Sequence, residues 1–229
     1  MKKINVLFVV LLACCIYSGG CNTGGNVTDI DGNVYKTVII GEQEWMAENL
    51  KTTTYDNGDP LPDVTDDTEW SSLTTGACCS YNNDEANEDM YGKLYNWYAV
   101  DDSRNVCPTG WHVPCDEDWT ALTDCLGGES VAGGKMKTTG TLQKNTGLWQ
   151  DPNTEATNLS GFSGLPGGYR FGSGEFGFVG EMGAWRSTTM DTLRPERGAW
   201  GRFLNYNSGT VFRGHGNLTL GFSVRCVRD

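Results

Sequence analysis

The 229-residue chain predicts an α+β fold built around antiparallel sheets, and three observations lead there. Short runs of β-branched and aromatic residues alternate with glycine turns from Gly161 onward, as strands and their corners do. A hairpin pattern stands nearer the N-terminus. Only one segment carries clear start and stop signals of a helix.

Residues 1–20 read as a leader. Lys2 and Lys3 precede an apolar run from Val6 to Leu12, the layout of an export signal and too short for a permanent membrane span, which needs about 20 residues. Leu11, Leu12 and Ala13 before Cys14 resemble a bacterial lipobox, in which the cysteine is acylated and becomes the new N-terminus. Cys21 is the alternative lipidation site, and a plain cleaved signal with spare cysteines is the bland reading. Several acyl chains hold a protein on a membrane stably, so a lipid-anchored product at the outer membrane or cell surface is expected. Residues 21–28, with Gly24 and Gly25, read as a flexible tether. Residues 29–229 then form a single domain with a sizeable core.

Asp31, Gly32 and Asn33 signal a turn. Val34 to Ile40 follows as a strand, and Gly41 and Glu42 return the chain through Gln43 to Met46, which makes a hairpin. Asp56 to Asp67, with Pro60 and Pro62, is a loop. Met90, Leu94 and Trp97 would share one helical face, while the aromatic density and Gly92 tolerate a strand; the segment to Val100 is expected to be core in either form, with a short helix favoured. The clearest helix runs from Asp116 to Leu126: Pro114 precedes it, three acids fill the first turn where the dipole favours anions, and Gly127 and Gly128 end it. Trp119, Leu122 and Leu126 form its buried stripe. Ala199 to Tyr206 and Thr210 to Arg213 flank a turn and make a second hairpin. Gly221 to Val227 reads as a buried closing strand.

The formal charge of −12 is unevenly spread. Residues 21–155 hold 24 acidic and 7 basic side chains, a balance of −17, whereas residues 169–229 hold 8 arginines and 5 acids. Such an acidic balance argues against a nucleic-acid partner. The arginine-rich end either offers an anion-binding face or pairs with the acidic part.

The strings Cys107 to Pro114 (CPTGWHVP), Gly161 to Arg170 (GFSGLPGGYR) and Gly221 to Asp229 (GFSVRCVRD) join Trp45-Met46-Ala47-Glu48-Asn49-Leu50 and Leu94 to Tyr98 in one ordered series. Together they resemble the Fibrobacter succinogenes major paralogous domain, a family of bacterial surface and secreted modules. That family is similar to C-type-lectin-like and formylglycine-generating-enzyme-like folds, which implies twisted antiparallel sheets with few short helices and long loops. It brings no established substrate or catalytic residues. The chain departs from the pattern at Arg186, where a second tryptophan is common, and at Cys115, where a threonine or serine commonly caps the helix.

Cysteines of an exported protein are read first as disulfide partners. The resemblance places the closing strand beside earlier core structure, which pairs Cys107 with Cys226. Cys115 and Cys125 lie about 15 Å apart along one helix, beyond the roughly 7 Å a disulfide allows. Each must find Cys78 or Cys79, or stay reduced.

Several side chains are candidates for function, each with a structural alternative. Trp185, Arg186, Trp200, Arg202 and Tyr206 would make an aromatic and guanidinium surface suited to sugar rings and acidic groups, unless they pack the core. Asn83, Asp84 and Glu88 offer oxygens for calcium, though without EF-hand spacing, and a solvated acidic loop is the alternative; no cofactor is otherwise expected. His112 and His215 lack a partnered nucleophile, and no nucleophile elbow or phosphate loop is present. The expected protein is a lipid-anchored, disulfide-bonded surface module that binds a glycan or an envelope component. An enzyme of the formylglycine-generating type, which needs a reactive cysteine pair near the closing strands, and a structural envelope protein are the alternatives.

Overall fold

The computed structural model describes residues 23–229; Cys14, Cys21 and the leader lie outside the described residues. In chain order the first part comprises β1 (Thr23–Thr28), β2 (Val34–Ile40), β3 (Gln43–Met46), α1 (Asp67–Ser72), β4 (Cys78–Cys79), α2 (Glu85–Tyr91), β5 (Leu94–Tyr95) and α3 (Trp97–Val100). The second comprises β6 (Trp111–His112), α4 (Asp116–Cys125), α5 (Glu129–Met136), β7 (Gly167–Arg170), β8 (Phe176–Val179), β9 (Met182–Met190), β10 (Ala199–Asn205), β11 (Val211–Gly216) and β12 (Val227–Arg228). Two five-stranded sheets dominate, ordered β1-β2-β3-β12-β6 and β11-β10-β9-β7-β8, with β4 and β5 as a separate pair. All pairings between these strands are antiparallel except β7 with β9, so the fold is α+β as expected.

Both hairpins form where the sequence places them. Gly41, at φ +65°, supplies the left-handed turn between β2 and β3 that a residue with a Cβ adopts at a cost. In β2 buried and exposed residues largely alternate, the mark of a strand with one face on the core. The second hairpin is longer than its sequence signal, with Ala199 pairing with Gly216.

Residues 23–28 are a correction: they form β1, not a tether. The reason lies in the next turn, where Asp29 accepts hydrogen bonds from the Asn33 backbone and from the Tyr35 hydroxyl at 2.6 Å. With the turn pinned, Val27 packs partly buried against the core, and β1 pairs with β2 through a register shift between Thr23 and Asn26.

The stretch from Met90 to Val100 is a second correction, since no single helix spans it. Gly92, at φ +74°, ends α2, and a Cβ there would meet Asn49 and Leu50 at 2.8 Å. The chain then extends as β5, and the Asn96 side chain restarts a short α3 by accepting from the Ala99 amide. By contrast α4 occupies the predicted span almost to the residue, with Trp119, Leu122 and Leu126 buried. Cys115 precedes it, and the Asp118 carboxylate accepts from the Cys115 amide at 2.9 Å, which satisfies a backbone donor at the helix start.

The closing segment is the third correction. Residues 221–227 are all buried, but only Val227 and Arg228 extend as a strand, pairing with β3 and β6. The rest threads between sheets by single backbone bridges. Gly221 exchanges hydrogen bonds with Arg170, and Phe222 does so with Tyr95. The Ser223 amide donates to the Ala184 carbonyl, and the Val224 and Cys226 carbonyls accept from the Leu50 and Met46 amides. One short segment thereby touches every sheet.

Three apolar clusters fill the interior. One lies against the first sheet and holds Tyr35, Leu50, Val224 and the Cys107–Cys226 disulfide, whose Cα atoms stand 5.9 Å apart. The second joins β2 and β3 to α4, α5 and the second sheet through Trp45, Trp119, Met136 and Trp185. The third surrounds Trp70 with Cys79 and Leu94. The pairing of Cys107 with Cys226 agrees with the expectation drawn from the family resemblance.

Candidate functional site

The surface expected from Trp185, Arg186, Trp200, Arg202 and Tyr206 does not assemble. Trp185, Arg186 and Arg202 are buried to within 1 % of complete exclusion. Strand alternation sends Trp185 and Arg202 to the face that packs on α4 and sends Arg186 to the opposite face, beneath Phe222. The Trp185 indole donates to Asn49, and the Arg186 guanidinium donates to the carbonyls of Asn217 and Leu220. Arg202 joins Arg213 on the Asp116 carboxylate, at 2.7 and 2.8 Å. The first-turn acid of α4 is therefore an ion-pair partner of the arginine-rich end. Desolvation works to raise the Asp116 carboxyl, but hydrogen bonds from Arg213 and Arg202 outweigh it and leave its pKa lowered. Trp200 and Tyr206 remain half-exposed, with the Arg213 guanidinium 3.5 Å over the Trp200 ring.

The remaining predicted side chains are largely engaged in local structure. Asn83 donates to the Thr65 carbonyl, Asp84 caps α2 by accepting from Ala86, and Glu88 pairs with Lys93 at 2.9 Å. Among the described residues no group of three or more histidine, cysteine or acidic side chains is placed to hold a metal. His112 bridges Asp229 and Asp118 at 2.6 and 3.2 Å, and His215 lies edge-on to Trp200. Burial pushes the Cys79 thiol up to about 12 and the Cys78 thiol higher still, which keeps both protonated. Cys226, the cysteine of the closing segment, is held in its disulfide.

An open cleft of about 440 Å³ lies elsewhere, between the loop before β4, α3 and the turn that follows α3. Gly76, Trp97, Tyr98, Asp101, Asp102 and Arg104 define it. The walls are tied together by Asn96. Its side-chain oxygen accepts from the Ala77 and Ala99 amides, and its nitrogen donates to the Thr75 carbonyl at 2.8 Å. Trp97 is fixed from both ends, since its amide donates to Leu218 and its indole to Thr188. Trp97 and Tyr98 are both half-buried and meet edge to face at 6.1 Å.

The turn after α3 separates two neighbouring carboxylates by role. Asp102 accepts from the Arg104 backbone and from two nitrogens of its guanidinium, at 2.7 to 3.0 Å. Those contacts with Arg104 pull the Asp102 carboxyl down to about 2. Asp101 stands exposed beside it, and desolvation together with the Asp102 charge raises its pKa. Behind this wall the Tyr55 ring lies 4.0 Å under the Arg104 guanidinium. Its buried hydroxyl makes no hydrogen bond of normal geometry among the described residues. Burial, and then the Asp102 charge, push that phenol up to about 12. A Cβ at Gly76 would stand 2.1 Å from this hydroxyl, so the cleft wall keeps its shape only with glycine there.

Sequence reasoning assigned Trp97 and its neighbours to the core and missed the cleft. The available signal was an aromatic pair followed within four residues by an acidic pair, Trp97-Tyr98 and Asp101-Asp102. Chemically the cleft offers aromatic ring surface, hydroxyls from Thr74, Thr75 and Ser103, and a carboxylate acceptor, all lining one open space.

No curated protein and no solved structure matches the chain. The Fibrobacter succinogenes major domain matches residues 38–228, which include β3 to β12, the helices and both disulfide cysteines, and the chain belongs to that family.

Proposed function

We propose that this protein is an exported, lipid-anchored surface module of C-type-lectin-like build that binds an extracellular glycan or a glycan-bearing envelope component in the Trp97 cleft. The observation that carries this reading is the pairing of aromatic ring surface with hydroxyl-binding groups in one open cleft. Sugar rings present apolar C–H faces to aromatic side chains and hydroxyls to carboxylates and side-chain hydroxyls. Export is supported by the leader's charge and apolar pattern and by a disulfide, which persists in oxidising compartments. Lipidation rests on the sequence around Cys14, with Cys21 as the alternative.

A glycan array probed with the mature protein tests the binding reading. Selective retention of one glycan group is expected, with at least a tenfold loss in Trp97→Ala, about 1.4 kcal/mol. Silence across plant, host and bacterial glycans overturns it. Mass spectrometry of the mature protein tests the anchor, and an unmodified N-terminus would remove it.

A further inference from the structure

We infer that the Trp97 cleft selects a cationic amino sugar, a glycan carrying free protonated amines, with Asp101 as the residue that recognises the ammonium group. The inference rests on the glycan-binding reading above and adds the charge of the ligand.

Arg104 is the cation of the cleft, and its donors are committed to Asp102 and, at 3.2 Å, to Asp59. Among the described residues no cation stands within ion-pair distance of Asp101, and the influences on its carboxyl are desolvation and a second negative charge. The wall therefore presents one uncompensated carboxylate beside two aromatic rings. That combination suits an ammonium ion, which gains from a carboxylate and from the negative face of an aromatic ring together, whereas an anionic sugar gains from neither.

Behind the cleft wall the buried Tyr55 hydroxyl lies against Gly76 and interacts with Asp102, so Asp102 is engaged on its inner side as well as by Arg104, and Asp101 is left as the carboxylate open to a ligand. The overall charge of −12 also draws cations toward the molecule. Asp101 is exposed and its side chain makes no hydrogen bond or ion pair among the described residues, so its identity can be changed without touching the core.

Titration calorimetry of the mature protein with a glucosamine tetramer and with its fully N-acetylated, uncharged counterpart tests this. At about pH 5.5 the free amines are protonated. The charged tetramer is expected to bind about tenfold more tightly, with the preference shrinking as salt is raised. Asp101→Asn is expected to bring the two tetramers within about twofold of each other, and Asp101→Glu to restore the preference. Trilysine supplies the same ammonium without a sugar, and binding as tight as that of the charged tetramer overturns the assignment to a sugar. Equal, Trp97-dependent binding of the two tetramers overturns the charge selectivity and leaves the glycan reading standing. Absence of binding by either tetramer, with a silent glycan array, overturns both.

Discussion

The two five-stranded sheets are fastened to the same C-terminal segment by different means. At the first sheet the link is covalent, through Cys107 and Cys226. At the second it is made by buried guanidinium groups. Arg225 donates to Asn49 and to the Phe162 and Ser163 carbonyls of the loop before β7, and its guanidinium reaches the sheet itself at the Trp185 ring of β9, 5.7 Å from the ring centroid. Arg186 ties the same region to the carbonyls of Asn217 and Leu220. Both arginines are buried, and desolvation lowers the pKa of each. The difference has a consequence. A disulfide acts largely by restricting the unfolded chain and depends on the redox state, whereas a buried guanidinium acts only in the folded state and loses stabilisation for each donor left unmatched, as the Arg186 Nε is among the described residues. The first sheet is thereby made sensitive to reductant and the second is not.

The sharpest way to break this comparison is at Arg225. Arg225→Met leaves the Asn49 oxygen without one of its donors and two carbonyls without theirs; at about 1–3 kcal/mol for each unmet group, a loss of about 4 kcal/mol or more is expected. Arg225→Lys keeps the charge without the planar fork and is expected to recover less than half of it. Urea unfolding of the three proteins measures both. A change below about 1 kcal/mol for Arg225→Met would show that the guanidinium is not the fastening.

Removing the disulfide with Cys107→Ser and Cys226→Ser is expected to cost about 3 kcal/mol, within the usual range of about 2 to 5. The location of the effect matters as much as its size. Hydrogen exchange should quicken first at the Met46 and Leu50 amides, which donate to Cys226 and Val224, while the Ser223 and Arg186 amides stay protected. Uniform loosening of both groups would contradict separate fastening.

A smaller effect is expected at Asp116, which binds the second sheet to α4 through Arg202 and Arg213. Its carboxyl is lowered in the folded protein, so its contribution is complete above the ordinary value near 4 and is lost as pH falls through the lower folded value. Asp116→Asn should therefore cost about 1 to 2 kcal/mol near neutrality, and the gap to wild type should narrow in acid. Urea unfolding across that range checks the sign, and a gap that widens in acid would contradict it.

How much of this was legible in the sequence differs by element. The β2–β3 hairpin, α4 and the β10–β11 hairpin are set by local signals, namely turn residues, alternation and helix-end chemistry. Segments whose structure depends on distant partners were not readable locally. β1 exists because the Asp29 turn brings it onto β2. The segment from Gly221 to Val227 has the composition of a strand, yet its backbone groups are claimed in ones and twos by Arg170, Tyr95, Ala184, Arg186, Leu50 and Met46. The candidate site follows the same rule. Trp97 and Tyr98 have core composition, and only the packing of α3 against the loop before β4 leaves their rings on an open wall. Arg186 looks like a surface residue in sequence and is buried because nearby backbone carbonyls converge on it.

By itself, the sequence determined the α+β class, the family, the main hairpins and long helix, the acidic first part and the arginine-rich end. These follow from composition and from patterns spanning a few residues. Only the tertiary structure decided which arginines are interior, how the last residues join the sheets, and where an aromatic surface stays open beside an unpaired carboxylate. Burial and ion pairing are properties of residues far apart in the chain, and nothing in a local pattern encodes which distant group arrives.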